Sequence, residues 1–137
     1  MTDILDLPGW EVIDSHQEAG EYIITAKHTA QPEACMKCGV IGRLYRHGTR
    51  TIRHLDSPIR GLPVRLDAIV QRYRCRDCGE TFLQPLAGID EGRRMTSRCA
   101  EYILTQGMRT TFTRVAEHVG CDEKTVRNVT SEIVSQI

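Results

Sequence analysis

The sequence predicts an α+β chain: a β-hairpin, then a β-rich segment carrying paired cysteines, then three helices. Three observations predict it. In the first part of the 137 residues apolar side chains alternate, as at Val64, Leu66, Ala68 and Val70, which is the period of a strand. From Met95 onward they recur with the period of a helix. Between the two regimes, Pro85, Gly88 and Gly92 punctuate the chain. The expected segments are 1–30 (hairpin), 31–86 (cysteine-bearing strands), 87–94 (linker) and 95–137 (helices).

Trp10 to His28 reads as two short β-rich runs around Gln17 to Gly20, hence a hairpin. Leu62 to Arg74 reads as a strand, although Ile69 interrupts its polar side. Asp56-Ser57-Pro58 and Arg60-Gly61 read as turn material before it. In the helical part, Met95, Cys99, Tyr102, Ile103 and Gln106 share one face, and Gly107 is the expected stop. A second helix carries Phe112, Val115, Ala116 and Val119, opened by Thr111 or Thr113 and ended by Gly120. Asp122 is the expected N-cap of a third, which turns Val126, Val129 and Ile133 inward.

Composition bounds the function. Hydrophobic residues make up 40% of the chain and aromatic residues 5%, so no large core is expected. No apolar run has the length of a membrane helix. The acidic start, Met1 to Asp6, lacks the basic-then-apolar order of a signal peptide. A soluble, cytoplasmic protein is therefore expected. The net charge of zero hides an asymmetry. Residues 1–30 hold six acids against one lysine (−5), residues 31–98 hold 13 basic against 7 acidic residues (+6), and residues 99–137 hold 4 against 5 (−1). The basic middle is almost wholly arginine, whose planar donor fork suits phosphates and base edges. The plainer account is a solvated strand face.

Cys35-Met-Lys-Cys38-Gly39 and Cys75-Arg-Asp-Cys78-Gly79 match in spacing and in the glycine that follows. A C-x-x-C pair on a tight turn aims both sulfurs at one ion, and two such knuckles supply four thiolates to a tetrahedral Zn²⁺, so residues 31–86 are expected to form a zinc ribbon. Disulfides are the poorer expectation inside a cell. A thioredoxin-like pair would open a helix in a βαβ unit, and neither pair has that setting. Four thiolates also suit an iron–sulfur cluster. With Cys35, Cys38, Cys75 and Cys78 filling every position, the metal has no place for water, so its role is structural. Cys99 and Cys121 read as buried small residues. The histidines at 16, 28, 47, 54 and 118 show no ligand spacing, although His47 or His54 can back up a cysteine.

Ala116 lies four residues before Gly120, and Val126 and Val129 follow it by six and nine. This is the frame of a helix-turn-helix: a small residue where the helices cross, a glycine in the turn, and two valines seating the last helix. An ordinary helical hairpin is the plainer account. Lys124, Arg127, Asn128 and Ser131 lie opposite the valines, flanked by Glu123 and Thr125. Arg127 suits a guanine edge and Asn128 an adenine edge. Arg114, with Thr110 and Thr111, and Arg72, Arg74 and Arg76 are candidate phosphate contacts.

The order of these features resembles a known family. Cys35-x-x-Cys38-Gly39 is followed by Asp56-x-Pro58-x-x-Gly61-x-Pro63-Val64-x-Leu66. Then come Arg72-Tyr73-Arg74-Cys75-x-x-Cys78-Gly79-x-Thr81-Phe82, Arg94-Met95-Thr96 and the helix-turn-helix. Over nearly its whole length the chain is similar to the N-terminal region of insertion-sequence transposases of the ISL-three type. The resemblance implies a bacterial, zinc-dependent module that binds the terminal inverted repeats of its element in double-stranded DNA. It implies a DDE nuclease domain downstream, so Asp90 and Glu101 are not expected to be catalytic. The chain ends while its last helix is still periodic, which suggests a truncated product or a stand-alone relative. A homodimer fits the resemblance; a membrane or a small-molecule substrate does not. Two other readings compete with it: a transcriptional regulator, and a protein-interaction or oligomerisation module on the same ribbon. A thiol redox protein or small metallohydrolase is the enzymatic alternative.

Overall fold

A computed structural model describes residues 4–135. Met1 to Asp3, at the acidic start, and Gln136 and Ile137, at the end of the last expected helix, lie outside the described residues. The first hairpin pairs β1 (Trp10–Glu18) with β2 (Glu21–His28) through Ala19 and Gly20, both left-handed. Two left-handed residues match the twist of the strands they join. Beyond Trp10, β1 is mostly exposed and carries Glu11, Asp14 and Glu18, charges that discourage pairing at a sheet edge.

A longer hairpin follows, β3 (Leu44–Ile59) and β4 (Leu62–Cys75), turned at Arg60 and Gly61. Val64, Leu66, Ala68 and Val70 of β4 are all buried on one face, as their alternation predicts. Asp56-Ser57-Pro58, expected as a turn, instead lies within β3. The ladder slips between Asp56 and Ile59, so Pro58 has no strand partner there and its missing amide costs nothing. Asp56 itself is fully buried and held by side chains from the helical part.

With β6 (Ile89–Asp90) and β7 (Met95–Thr96), the strands form one sheet in the order β1-β2-β4-β3-β7-β6, and β2 runs parallel to β4. β5 (Thr81–Leu83) pairs with the end of β4. The first hairpin and the cysteine-bearing strands thus share a sheet. Gln84, buried beside them, ties the two: its amide nitrogen donates to Ala30 O (2.9 Å), and its oxygen accepts from Gln71 N (2.8 Å). Residues 87–94, expected as a linker, hold β6 (Ile89–Asp90) and a 3-10 turn, Glu91–Arg93. β7 (Met95–Thr96) then pairs with β3 at Leu55.

Three helices complete the chain: α1 (Ser97–Gly107), α2 (Phe112–Val119) and α3 (Glu123–Ser135). Met95, expected on the α1 face, is buried one element earlier, in β7. Thr96, Thr111 and Asp122 cap the helices, accepting from the amides of Cys99 (3.1 Å), Arg114 (3.2 Å) and Thr125 (2.7 Å). Gly107 is the last residue of α1, where its missing side chain leaves room for the Phe112 ring.

Apolar packing falls into two clusters. One lies on the sheet, around Trp10, Ile24, Leu66 and Val70. The other lies among the helices, around Met95, Ile103, Val119 and Val126. A polar group ties the helices to the sheet. Arg98 of α1 donates twice to the Asp56 carboxylate (2.8 and 2.6 Å), and the Thr96 hydroxyl donates a third bond (2.7 Å). Arg98 also donates to the carbonyls of Leu5 and Asp6. A buried carboxylate so surrounded fixes the helices against the sheet, because breaking any of these bonds leaves a charge without water.

Candidate metal centre and nucleic-acid interface

Each C-x-x-C-G stretch folds into the same knuckle. The Gly39 amide donates to Cys35 O (2.9 Å), and the Gly79 amide donates to Cys75 O (3.0 Å). Both glycines are left-handed, with φ of 79° and 73°, a conformation that few other residues adopt cheaply. The 36 residues between Cys38 and Cys75 are mostly the β3–β4 hairpin, which carries the chain out and back. Leu44 pairs with Cys75, and the Arg43 guanidinium holds Asp77 (2.8 Å), so the second knuckle lies against the exit of the first.

All four sulfurs lie within 4.8 Å of one another. Cys35 Sγ is 3.7 Å from Cys78 Sγ, and Cys38 Sγ is 3.7 Å from Cys75 Sγ. A tetrahedral ion with metal–sulfur bonds of about 2.3 Å has sulfur–sulfur edges of about 3.8 Å. The donor set therefore fits one zinc ion. The Cys38 amide (3.4 Å), and then the Lys37 amide (3.3 Å), point at Cys35 Sγ and lower its thiol to about 6. At Cys78 the Glu80 amide favours the thiolate, but desolvation and the sulfurs of Cys35, Cys38 and Cys75 outweigh it and push the thiol up to about 12. Four sulfurs this close do not all ionise without a cation among them. Zinc supplies that charge and locks the two knuckles together.

His47 and His54 are not members of the cluster. His47 stands edge-on to Tyr45, and His54 is buried on the sheet. Cys99 is fully buried and its thiol is pushed up to about 12, chiefly by burial; Cys121 is half-buried beside the helical cluster.

The helix-turn-helix frame is formed by α2 and α3. Gly120 is left-handed (φ 85°) and its amide closes α2 onto Ala116 O (2.8 Å). Val126 and Val129 are buried, while Glu123, Lys124, Arg127, Asn128 and Ser131 are exposed; Thr125 is half-buried. Glu123 is already engaged within the protein. Its carboxylate forms an ion pair with Arg127 one turn on and accepts from the Thr113 hydroxyl (3.2 Å). Both side chains of that pair are exposed along α3. Arg114 is exposed on α2, Thr110 is half-buried, and the Thr111 hydroxyl is the α2 cap.

Arg72, Arg74 and Arg76 are all exposed at the end of β4. Two of them also brace the second knuckle: Arg74 Nε donates to Gly79 O (3.2 Å), and the Arg76 guanidinium lies 4.7 Å from the centre of the Tyr45 ring. Sequence reasoning missed the Asp56–Arg98–Thr96 group, which positions the helices. The only local signal was an acid in a stretch otherwise read as turn.

Comparison with known families agrees with this geometry. Residues 31–78 match the family described as the zinc-finger of transposase IS204/IS1001/IS1096/IS1165. Residues 84–134 match the helix-turn-helix domain of transposase family ISL3. No curated protein and no solved structure matches the chain. The two matched stretches take in well over half of the 137 residues and coincide with the cysteine knuckles and the three helices. The chain belongs to the ISL3 transposase family, of which it carries the zinc ribbon and the DNA-binding helix-turn-helix.

Proposed function

We propose that this chain finds the ends of a mobile element: it binds the terminal inverted repeats in duplex DNA, sequence-specifically and only when zinc is bound. One observation carries the reading. The outward face of α3 presents Lys124, Arg127 and Asn128 together, with the opposite face seated on the helical cluster. Laid in the major groove, such a face puts Arg127 against a guanine and Asn128 against an adenine. Glu123 holds Arg127 in place for that contact. Arg114 and the arginines of β4 take phosphates, which fix register without reading sequence.

In this reading the described residues bind and do no strand chemistry. Four thiolates complete the coordination of the zinc, which leaves no position for an activated water. Asp90 is taken up by an ion pair with Arg93. Among the described residues no helix is long and apolar enough to cross a membrane. We place the protein in the cytoplasm, on the nucleoid when bound.

The test is a selection from randomised duplexes with zinc-loaded protein, followed by the Arg127→Ala, Asn128→Ala pair. A single enriched motif that broadens at adjacent positions in the variant supports the proposal. Unchanged affinity and preference in the variant would favour a module that binds protein rather than DNA.

A further inference from the structure

We infer that the protein holds DNA at a second place away from α3, a cationic cavity on the sheet that takes the sugar-phosphate backbone. The inference rests on the DNA-binding reading above. The cavity, about 460 Å³, lies between the β3–β4 face and the segment around Phe82 to Leu86. Three cations from three parts of the chain line it: Lys37 from the first knuckle, Arg50 from β3 and Arg94 from the turn before β7. Ile52 and Val70 belong to its apolar wall, His54 lines it as well, and among the described residues no carboxylate does.

Carboxylates occupy several of the other arginines. Arg43, Arg53, Arg65, Arg93 and Arg98 each face a carboxylate. Among the described residues no carboxylate lies within ion-pair distance of Lys37, Arg50 or Arg94, and all three are exposed. Three cations converging on a partly apolar cavity create a focused positive potential. An anion relieves it.

Arg94 adds an independent observation. Its φ is +52°, a left-handed conformation that costs an arginine backbone energy a glycine is spared, and Leu55 N donates to its carbonyl (3.1 Å). Arg93, the preceding residue, donates to Glu132 of α3 (2.9 Å), one turn beyond Asn128. Lys37 lies between two metal ligands, so zinc also places one wall of the site.

The experiment uses the zinc-loaded full chain and compares it with the Lys37→Gln, Arg50→Gln, Arg94→Gly variant. Binding of a mixed-sequence duplex is measured across a salt series. The expected result is a slope of log affinity against log salt shallower by about 0.9 for each phosphate that the variant no longer neutralises. At about 0.1 M salt this corresponds to a roughly eightfold weaker affinity per phosphate. Zinc content and the motif enriched in selection should not change. If the triple variant fails to fold, Arg94→Gly alone carries the test, because glycine relaxes the backbone at that position. An unchanged slope in a folded, zinc-loaded variant overturns the inference. So does a cavity that takes inorganic phosphate in the parent and not in the variant, while duplex affinity stays the same. If the parent protein binds no duplex at all, the proposed function falls and the inference falls with it. If the parent binds and only the cavity variants are silent, the cavity alone loses its role.

Discussion

Glu123 is exposed on a helix proposed to meet DNA, yet its carboxylate faces Arg127 and Thr113. Its expected role is to aim rather than to bind. Glu123→Ala should therefore broaden base preference at the position read by Arg127 and nowhere else. A bidentate arginine–guanine pair discriminates by about 1–3 kcal/mol, and the selected motif should lose part of that at one position. Asp56 acts on stability instead. Replacing it with alanine leaves Arg98 and Thr96 without their buried acceptor, and should cost about 3–5 kcal/mol in chemical denaturation. The two kinds of site were not equally legible. Cysteines 35, 38, 75 and 78 declare themselves because the knuckle is a local pattern with a local glycine. Asp56 and Arg98 are 42 residues apart, and nothing local to either announces the other.

At the scale of elements, the helices were legible because each has its own stop and start signals. Thr111, Gly120 and Asp122 cap where their chemistry predicts. Gly120 has two reasons to be glycine: its left-handed backbone, and Pro63 of β4, which lies 2.9 Å from where a Cβ would stand. Gly120→Ala should lower stability by at least about 1 kcal/mol, read as a lower thermal midpoint with zinc retained. Strand boundaries were less legible. Asp56 to Pro58 has turn composition, but the turn is at Arg60 and Gly61, and β3 runs on to reach it. Residues 87–94 have linker composition because short two-residue strands need no apolar alternation; their pairing is set by the sheet they join. The arginines at 72, 74 and 76 were visible as charge. That two of them brace the knuckle follows only from where Gly79 and Tyr45 lie.

The molecule as a whole is a single sheet with a metal-locked end and a helix-turn-helix, joined through a buried ion pair. A chain with two modest apolar clusters depends on the ion for part of its folding free energy, and comparable zinc-finger peptides gain about 10–16 kcal/mol from theirs. The charge asymmetry read from the sequence becomes spatial here: the acidic first hairpin forms one edge of the sheet, and the basic middle forms its centre and its knuckles. In the proposed function the zinc-loaded protein reads duplex sequence through α3. Selection from a randomised duplex library, run with zinc and again after chelation, tests it most directly. One enriched motif is expected with zinc, no enrichment without it, and broadening at adjacent positions when Arg127 and Asn128 are both replaced by alanine. Enrichment that survives chelation, or a motif unchanged in that double variant, would contradict it.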